Sequence, residues 1–225
     1  METEEKPNDR TDFPHRRRSR SESTWLRRHA PDRPARQFRP YPKWQEGLRL
    51  LRRAADLGVD FFDSAWAYGP ETADRIVGEA LGGRDAVIAT KGGVDKPAPG
   101  NIKVDGTRDT LLRQIDKALT NLRRDRIDLF QLHRVDPNTP IETSVAALAE
   151  ARADGRIGHI GLSNVTADDL ERALAVAPIA SVQNRFNSAE TDADELVEFT
   201  AARGITMLYG RSGAGKTTIV NALAG

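Results

Sequence analysis

The chain has 225 residues, with 34 Lys and Arg against 33 Asp and Glu, enough for one large domain or a domain with a tail. It has no cysteine, which excludes a disulfide framework, a thiolate metal site and a cysteine nucleophile. No apolar run approaches the length of a membrane span, and the N-terminus lacks the apolar centre of a secretory signal, so the expected location is cytoplasmic, with no membrane partner.

Charge is balanced overall but unevenly spread. Residues 1–44 hold twelve Lys and Arg against seven Asp and Glu, net +5, which leaves −4 for the rest of a chain whose total is +1. Residues 1–43 read as a disordered basic arm, polar and rich in Arg, Pro and Ser with few aliphatic residues to bury. Its run Arg16-Arg17-Arg18-Ser19-Arg20 suits a solvated tail. It also allows a nucleic-acid or membrane-surface contact, neither of which is expected, or phosphorylation by a basic-directed kinase.

From Trp44 onward helices and strands alternate. A helix over 48–57 stops at Gly58, and a strand over 59–63 follows. A helix over 71–81 leads to a strand over 86–90. A long loop with Pro97, Pro99 and Gly100 then precedes a helix over 107–123, whose Leu111, Leu112, Ile115, Leu119 and Leu122 form an apolar stripe. Next come strand 127–132, helix 141–154 ended by Gly155, and strand 157–162. A helix over 167–176 starts at the capping-box pair Thr166 and Asp169. Strand 180–184, helix 191–203 and strand 205–209 complete the series. Such repeats make parallel strands joined by right-handed crossovers. The count is six strands, so an eight-stranded (β/α) barrel lacks parts at both ends.

Four reactive side chains stand at or just beyond strand ends: Asp63, Tyr68, Lys91 and His133. In a (β/α) barrel those ends meet at one mouth, where active sites are built. Tyr68 there would protonate a carbonyl oxygen while hydride reaches the carbon. A free phenol has a pKa of about 10, and a neighbouring Lys91, held by Asp63, would lower it by stabilising the phenolate. His133 would orient the carbonyl. None of these groups carries a hydride, so a nicotinamide cofactor is required. Taken singly, Asp63 also suits a helix cap, Lys91 a solvated loop, and His133 a core histidine.

The segments Asp63-Ser64-Ala65-x-x-Tyr68-Gly69, Ala89-Thr90-Lys91 and Leu132-His133 resemble the catalytic tetrad segments of the aldo-keto reductases. Ile160-Gly161-Leu162-Ser163-Asn164 and Val182-Gln183-Asn184-Arg185-Phe186-Asn187 resemble that family's nicotinamide segments. The resemblance runs from about Trp44 to Leu208. It implies a (β/α)8 barrel of TIM type, with Ser163, Asn164 and Gln183 on the cofactor carboxamide. It also implies NADPH as cofactor, NADH being possible, and a small carbonyl substrate. The family's first strand, its last units and its basic segment for the adenosine phosphate have no counterpart here.

In their place, after strand 205–209, stands Gly210-Arg211-Ser212-Gly213-Ala214-Gly215-Lys216-Thr217-Thr218, a complete Walker A pattern that resembles the ABC-type ATPases. Its backbone and Lys216 would cradle phosphates, and Thr217 would ligate Mg²⁺. Three domains follow: an arm over 1–43, a reductase-like barrel over 44–209 and a phosphate-loop segment over 210–225. The leading expectation is NADPH-dependent reduction of an aldehyde or ketone with Tyr68 as acid. The alternatives are an ATP- or GTP-binding fragment that takes Mg-ATP through Gly210, Gly213, Gly215, Lys216, Thr217 and Thr218, or an inactive truncated or chimeric barrel. The same loop would also sit where it could hold the cofactor's phosphates. Open barrel edges would favour self-association.

Overall fold

The computed structural model describes residues 43–69, 71–98, 100–185 and 193–210. The basic arm up to residue 42 and the phosphate-loop residues Gly213, Gly215, Lys216, Thr217 and Thr218 lie outside them, and Gly210 is the last residue of the final strand.

Helix α1 (Trp44–Asp56) starts four residues earlier than its sequence pattern suggests. The reason is tertiary. Trp44 Nε1 donates to the Glu79 carboxylate at 3.0 Å, and the Arg75 guanidinium stacks 5.8 Å from its ring centre. The order then runs β1 (Phe61–Asp63), α2 (Thr72–Leu81), β2 (Val87–Gly92), β3 (Val94–Ala98), β4 (Asn101–Val104), α3 (Arg108–Leu122) and β5 (Ile127–Leu132). It continues with α4 (Ile141–Ala153), β6 (Ile157–Ser163), α5 (Ala167–Leu174), β7 (Ser181–Arg185), α6 (Ala193–Ala201) and β8 (Thr206–Gly210). The capping box forms as the sequence pattern requires: Thr166 Oγ1 accepts from the Asp169 amide at 3.1 Å, and the Asp169 carboxylate accepts from the Thr166 amide at 3.0 Å.

Six strands make one parallel sheet in the order β1-β2-β5-β6-β7-β8, matching the expected count. Strands β3 and β4 correct the expected loop around Pro97 and Gly100. They form an antiparallel hairpin, with Val94 opposite Val104 and Gly100 turning at φ +78°. Proline and glycine signal a break in any single-strand reading, but a two-stranded excursion tolerates both at its irregular end. The hairpin is fastened from outside itself. Trp66 Nε1 and Gln114 Nε2 both donate to Asp95, and Gln114 Oε1 accepts from the Gly93 amide at 2.7 Å.

The sheet is strongly curled. β1 and β7 are four strand spacings apart, about 19 Å across a flat sheet. Yet Gln183 on β7 donates to Asp63 on β1 at 3.0 Å. Phe61 on β1 and Leu208 on β8 likewise share one apolar cluster with Ala89 and Leu129. Strands so far apart in the order cannot meet unless the sheet bends into most of a barrel, here the incomplete (β/α)8 form the sequence implies. Among the described residues, β1 pairs only with β2 and β8 only with β7, so both outer edges are open.

Strand alternation sorts side chains onto two faces. Phe62, Ile88, Phe130, Leu132, Ile160, Leu162 and Val182 point outward into the main core beneath the helices. The alternate residues point inward. Registers Asp63↔Ala89, Lys91↔Gln131↔Gly161 and Ser163↔Gln183 place them in ascending layers. Gly161 leaves room for this filling: a Cβ there would stand 2.8 Å from Gln131 Cγ and 2.5 Å from Ser181 Oγ.

Candidate active site

Beyond β1 the chain keeps two more rungs of the β1–β2 ladder, Ser64 N to Ala89 O at 2.8 Å and Trp66 N to Lys91 O at 2.9 Å. It then turns tightly, with Tyr68 N donating to Ala65 O and Gly69 at φ +59°. The start of α2 closes over it, Ala73 N donating to Tyr68 O at 3.2 Å. Tyr68 is therefore held by backbone bonds on both sides, although it lies on a connection rather than a strand.

Lys91 is 1% exposed. Its Nζ donates to Asp63 Oδ1 at 2.6 Å and to Ser64 O at 2.8 Å. The ammonium lies 5.1 Å from the Tyr68 ring centre. The Tyr68 and His133 rings meet edge to face with centres 5.8 Å apart. The four residues expected from the sequence are thus brought together at one mouth.

Burial pushes the Tyr68 phenol above its ordinary pKa of 10, although the Lys91 charge and hydrogen bond pull the other way. The lowering expected from Lys91 is present but outweighed. For Lys91 itself burial acts to lower the pKa, yet the Asp63 and Tyr68 charges and hydrogen bonds raise it on balance. The ammonium therefore stays charged at neutral pH, and the phenol stays protonated.

Ser163, Asn164 and Gln183 gather one layer higher. Asn164 sits in the left-handed region at φ +56°, its amide N donating to Gln183 O at 3.1 Å. Its Nδ2 donates to Ser163 Oγ at 2.9 Å and to His133 O at 3.1 Å. Gln183 is engaged with the tetrad itself, its Nε2 on Asp63 Oδ2. Hydroxyl and amide groups placed side by side match the donors and acceptors of a primary carboxamide, so this set fits a nicotinamide.

Three participants escape a sequence reading. Gln131, buried on β5, donates to Asp63 Oδ1 at 3.3 Å. Asp74, fully buried, accepts from Ser64 Oγ at 2.6 Å and from Thr90 Oγ1 at 2.9 Å. Trp66 ties the β3–β4 hairpin beside Tyr68. An acid in the first turn of a helix ordinarily faces solvent, so nothing local marked Asp74. The only signal for Gln131 was its phase with Lys91, visible once strand pairing is known.

The profile of the aldo/keto reductase family matches residues 39–216. This chain belongs to that family. An uncharacterized oxidoreductase of Schizosaccharomyces pombe is 34% identical over 169 residues, 74% of this chain and 55% of that one. A second protein of that yeast, an aldo-keto reductase named with NADP(+), is 35% identical over 161 residues, 68% of this chain and 47% of its own. Among solved structures, a glycerol dehydrogenase from Gluconobacter oxydans superposes with a TM-score of 0.72 at 27% identity, covering 76% of this chain and 55% of that one. The chain spans about half the length of the curated relatives it matches. No helix among the described residues is long and apolar enough to cross a membrane. Nor do they contain a group of three His, Cys, Asp or Glu side chains that could hold a metal ion.

Proposed function

We propose that this aldo/keto reductase family chain reduces a small aldehyde or ketone to the alcohol with NADPH, Tyr68 acting as general acid. The observation that carries the reading is the Lys91 ammonium, which faces Asp63 and Tyr68 at once from a buried position. The choice of NADPH over NADH is supported by the relative named with NADP(+). Ser163, Asn164 and Gln183 would hold the carboxamide of the cofactor, which when bound supplies the hydride that no side chain here can.

The roles follow from the surroundings of each group. The phenol is protonated at rest, the form needed to donate to a carbonyl oxygen. As its proton leaves, negative charge develops on a phenol whose ring centre lies 5.1 Å from the Lys91 ammonium. That charge is stabilised by an ammonium already held beside the ring. Asp63 keeps the ammonium in place, and is itself fixed by Gln131 and Gln183. His133, at right angles to the Tyr68 ring, would orient the carbonyl.

The test is turnover of a panel of small aldehydes and ketones with NADPH, wild type against Tyr68→Phe. Loss of the positioned acid lowers kcat by about 10²–10⁴-fold, with the melting temperature little changed. A Phe variant as active as the wild type overturns the reading.

A further inference from the structure

Asp74 is a carboxyl group with 0% exposure, lying in the first turn of α2 rather than on the mouth. Burial raises its pKa to about 6 against the hydrogen bonds of Ser64 and Thr90 and the Lys91 charge, with Asp63 adding to the rise. A carboxyl so placed is costly to bury. Oδ1 takes both hydroxyl bonds while Oδ2 has no hydrogen-bond partner. The two hydroxyls it holds are not arbitrary. Ser64 directly follows Asp63, and its carbonyl oxygen accepts from Lys91 Nζ at 2.8 Å. Thr90 directly precedes Lys91, one rung along the same ladder.

We propose that Asp74 is a positioning residue: by joining Ser64 of the β1 end to Thr90 of β2 through one oxygen, it sets the Lys91 ammonium against Asp63 and Tyr68. The clamp acts across the β1–β2 seam. β1 is three residues long, with Phe61, Phe62 and Asp63 paired to Val87, Ile88 and Ala89, and past it the Ser64 and Trp66 amides carry the ladder on to Ala89 O and Lys91 O. Without the clamp, the Ser64 carbonyl that receives one ammonium hydrogen is free to drift, and Lys91 loses its fixed distance from the phenol. The consequence for catalysis rests on the reading of Tyr68 as proton donor; the clamp itself does not.

The experiment reads the phenol directly. The chain has three tyrosines, so the ultraviolet titration of a protein minus that of the same protein carrying Tyr68→Phe isolates Tyr68. Asp74→Asn and Asp74→Ala both remove the charge, but only Asn retains an oxygen that can accept both hydroxyls. The expected result is a Tyr68 midpoint about one pH unit higher in Asp74→Ala than in Asp74→Asn, because the phenolate loses its ammonium. Ser64→Ala and Thr90→Val, each deleting one arm of the clamp, raise the midpoint above that of the wild type. They supply the answer if Asp74→Ala does not fold. Coincident midpoints in the two Asp74 variants, or no rise in either hydroxyl variant, overturn the proposal. None of these readings requires turnover, so a failed carbonyl screen leaves them standing.

Discussion

The two faces of the same six strands do opposite work. Outward, Phe62, Ile88, Phe130, Ile160 and Val182 pack beneath the helices in an apolar core. Inward, one cluster is apolar too, with Phe61, Ala89, Leu129 and Leu208, but beside it lies a polar set in which Lys91, Gln131 and Gln183 all donate to Asp63. A difference of one residue in phase thus separates the stabilising face from the reactive one. Burying the Lys91–Asp63 pair is expensive, since the desolvation of both ions offsets much of their attraction. The outer face supplies the surplus that lets the inner layer remain polar and tightly ordered.

The comparison can be broken first from outside. Phe130→Ala empties a site that is 1% exposed, and should lower stability by about 3–5 kcal/mol. Chemical denaturation would show it as a lower midpoint at unchanged slope. Folded Phe130→Ala protein should keep its Tyr68 titration, because Phe130 points away from the mouth.

From inside, the largest effect depends on pH. Asp74 has its folded pKa raised from 3.8 to about 6. Below pH 4 it is protonated in both the folded and unfolded states and carries no penalty. Between pH 4 and 6 the unfolded chain releases a proton that the folded chain retains. Stability therefore falls as pH rises through that window, by about 3 kcal/mol in all. Asp74→Asn has no such proton to release. Relative to the wild type, its unfolding free energy should climb by that amount between pH 4 and 7. Parallel curves for the two proteins would show that Asp74 does not titrate in this range.

The smallest expected change sharpens the contrast from the helix layer. Thr166→Ala removes one half of the α5 capping box and should cost about 1 kcal/mol. It should leave the site unaltered, as measured by the difference between thermal melts and by NADPH-dependent turnover.

Much of this molecule was legible as a line of residues. Alternating apolar runs and amphipathic helices marked the six parallel strands and their crossovers, because periodicity is a local property. The Thr166–Asp169 cap was legible for the same reason, and the expectation that Asp63, Tyr68, Lys91 and His133 share one mouth came from the barrel reading and the family resemblance. The hairpin at Val94–Val104 was not. Its strands are stabilised by pairing with each other and by Trp66 and Gln114, which lie 29 and 19 residues from the Asp95 they hold.

What the sequence determined by itself is therefore the order of the elements around the six-stranded sheet, the phase of those strands and the identity of the chemical groups at their ends. Tertiary structure decided which of those groups meet. Gln183 reaches Asp63 only because the sheet curls through four strand spacings. Asp74 becomes a buried clamp only because α2 packs its first turn against the β1–β2 seam. Both contacts join residues whose local surroundings say nothing of each other, and the physical reason is common to them: burial and curvature belong to the assembled sheet and not to any segment of it.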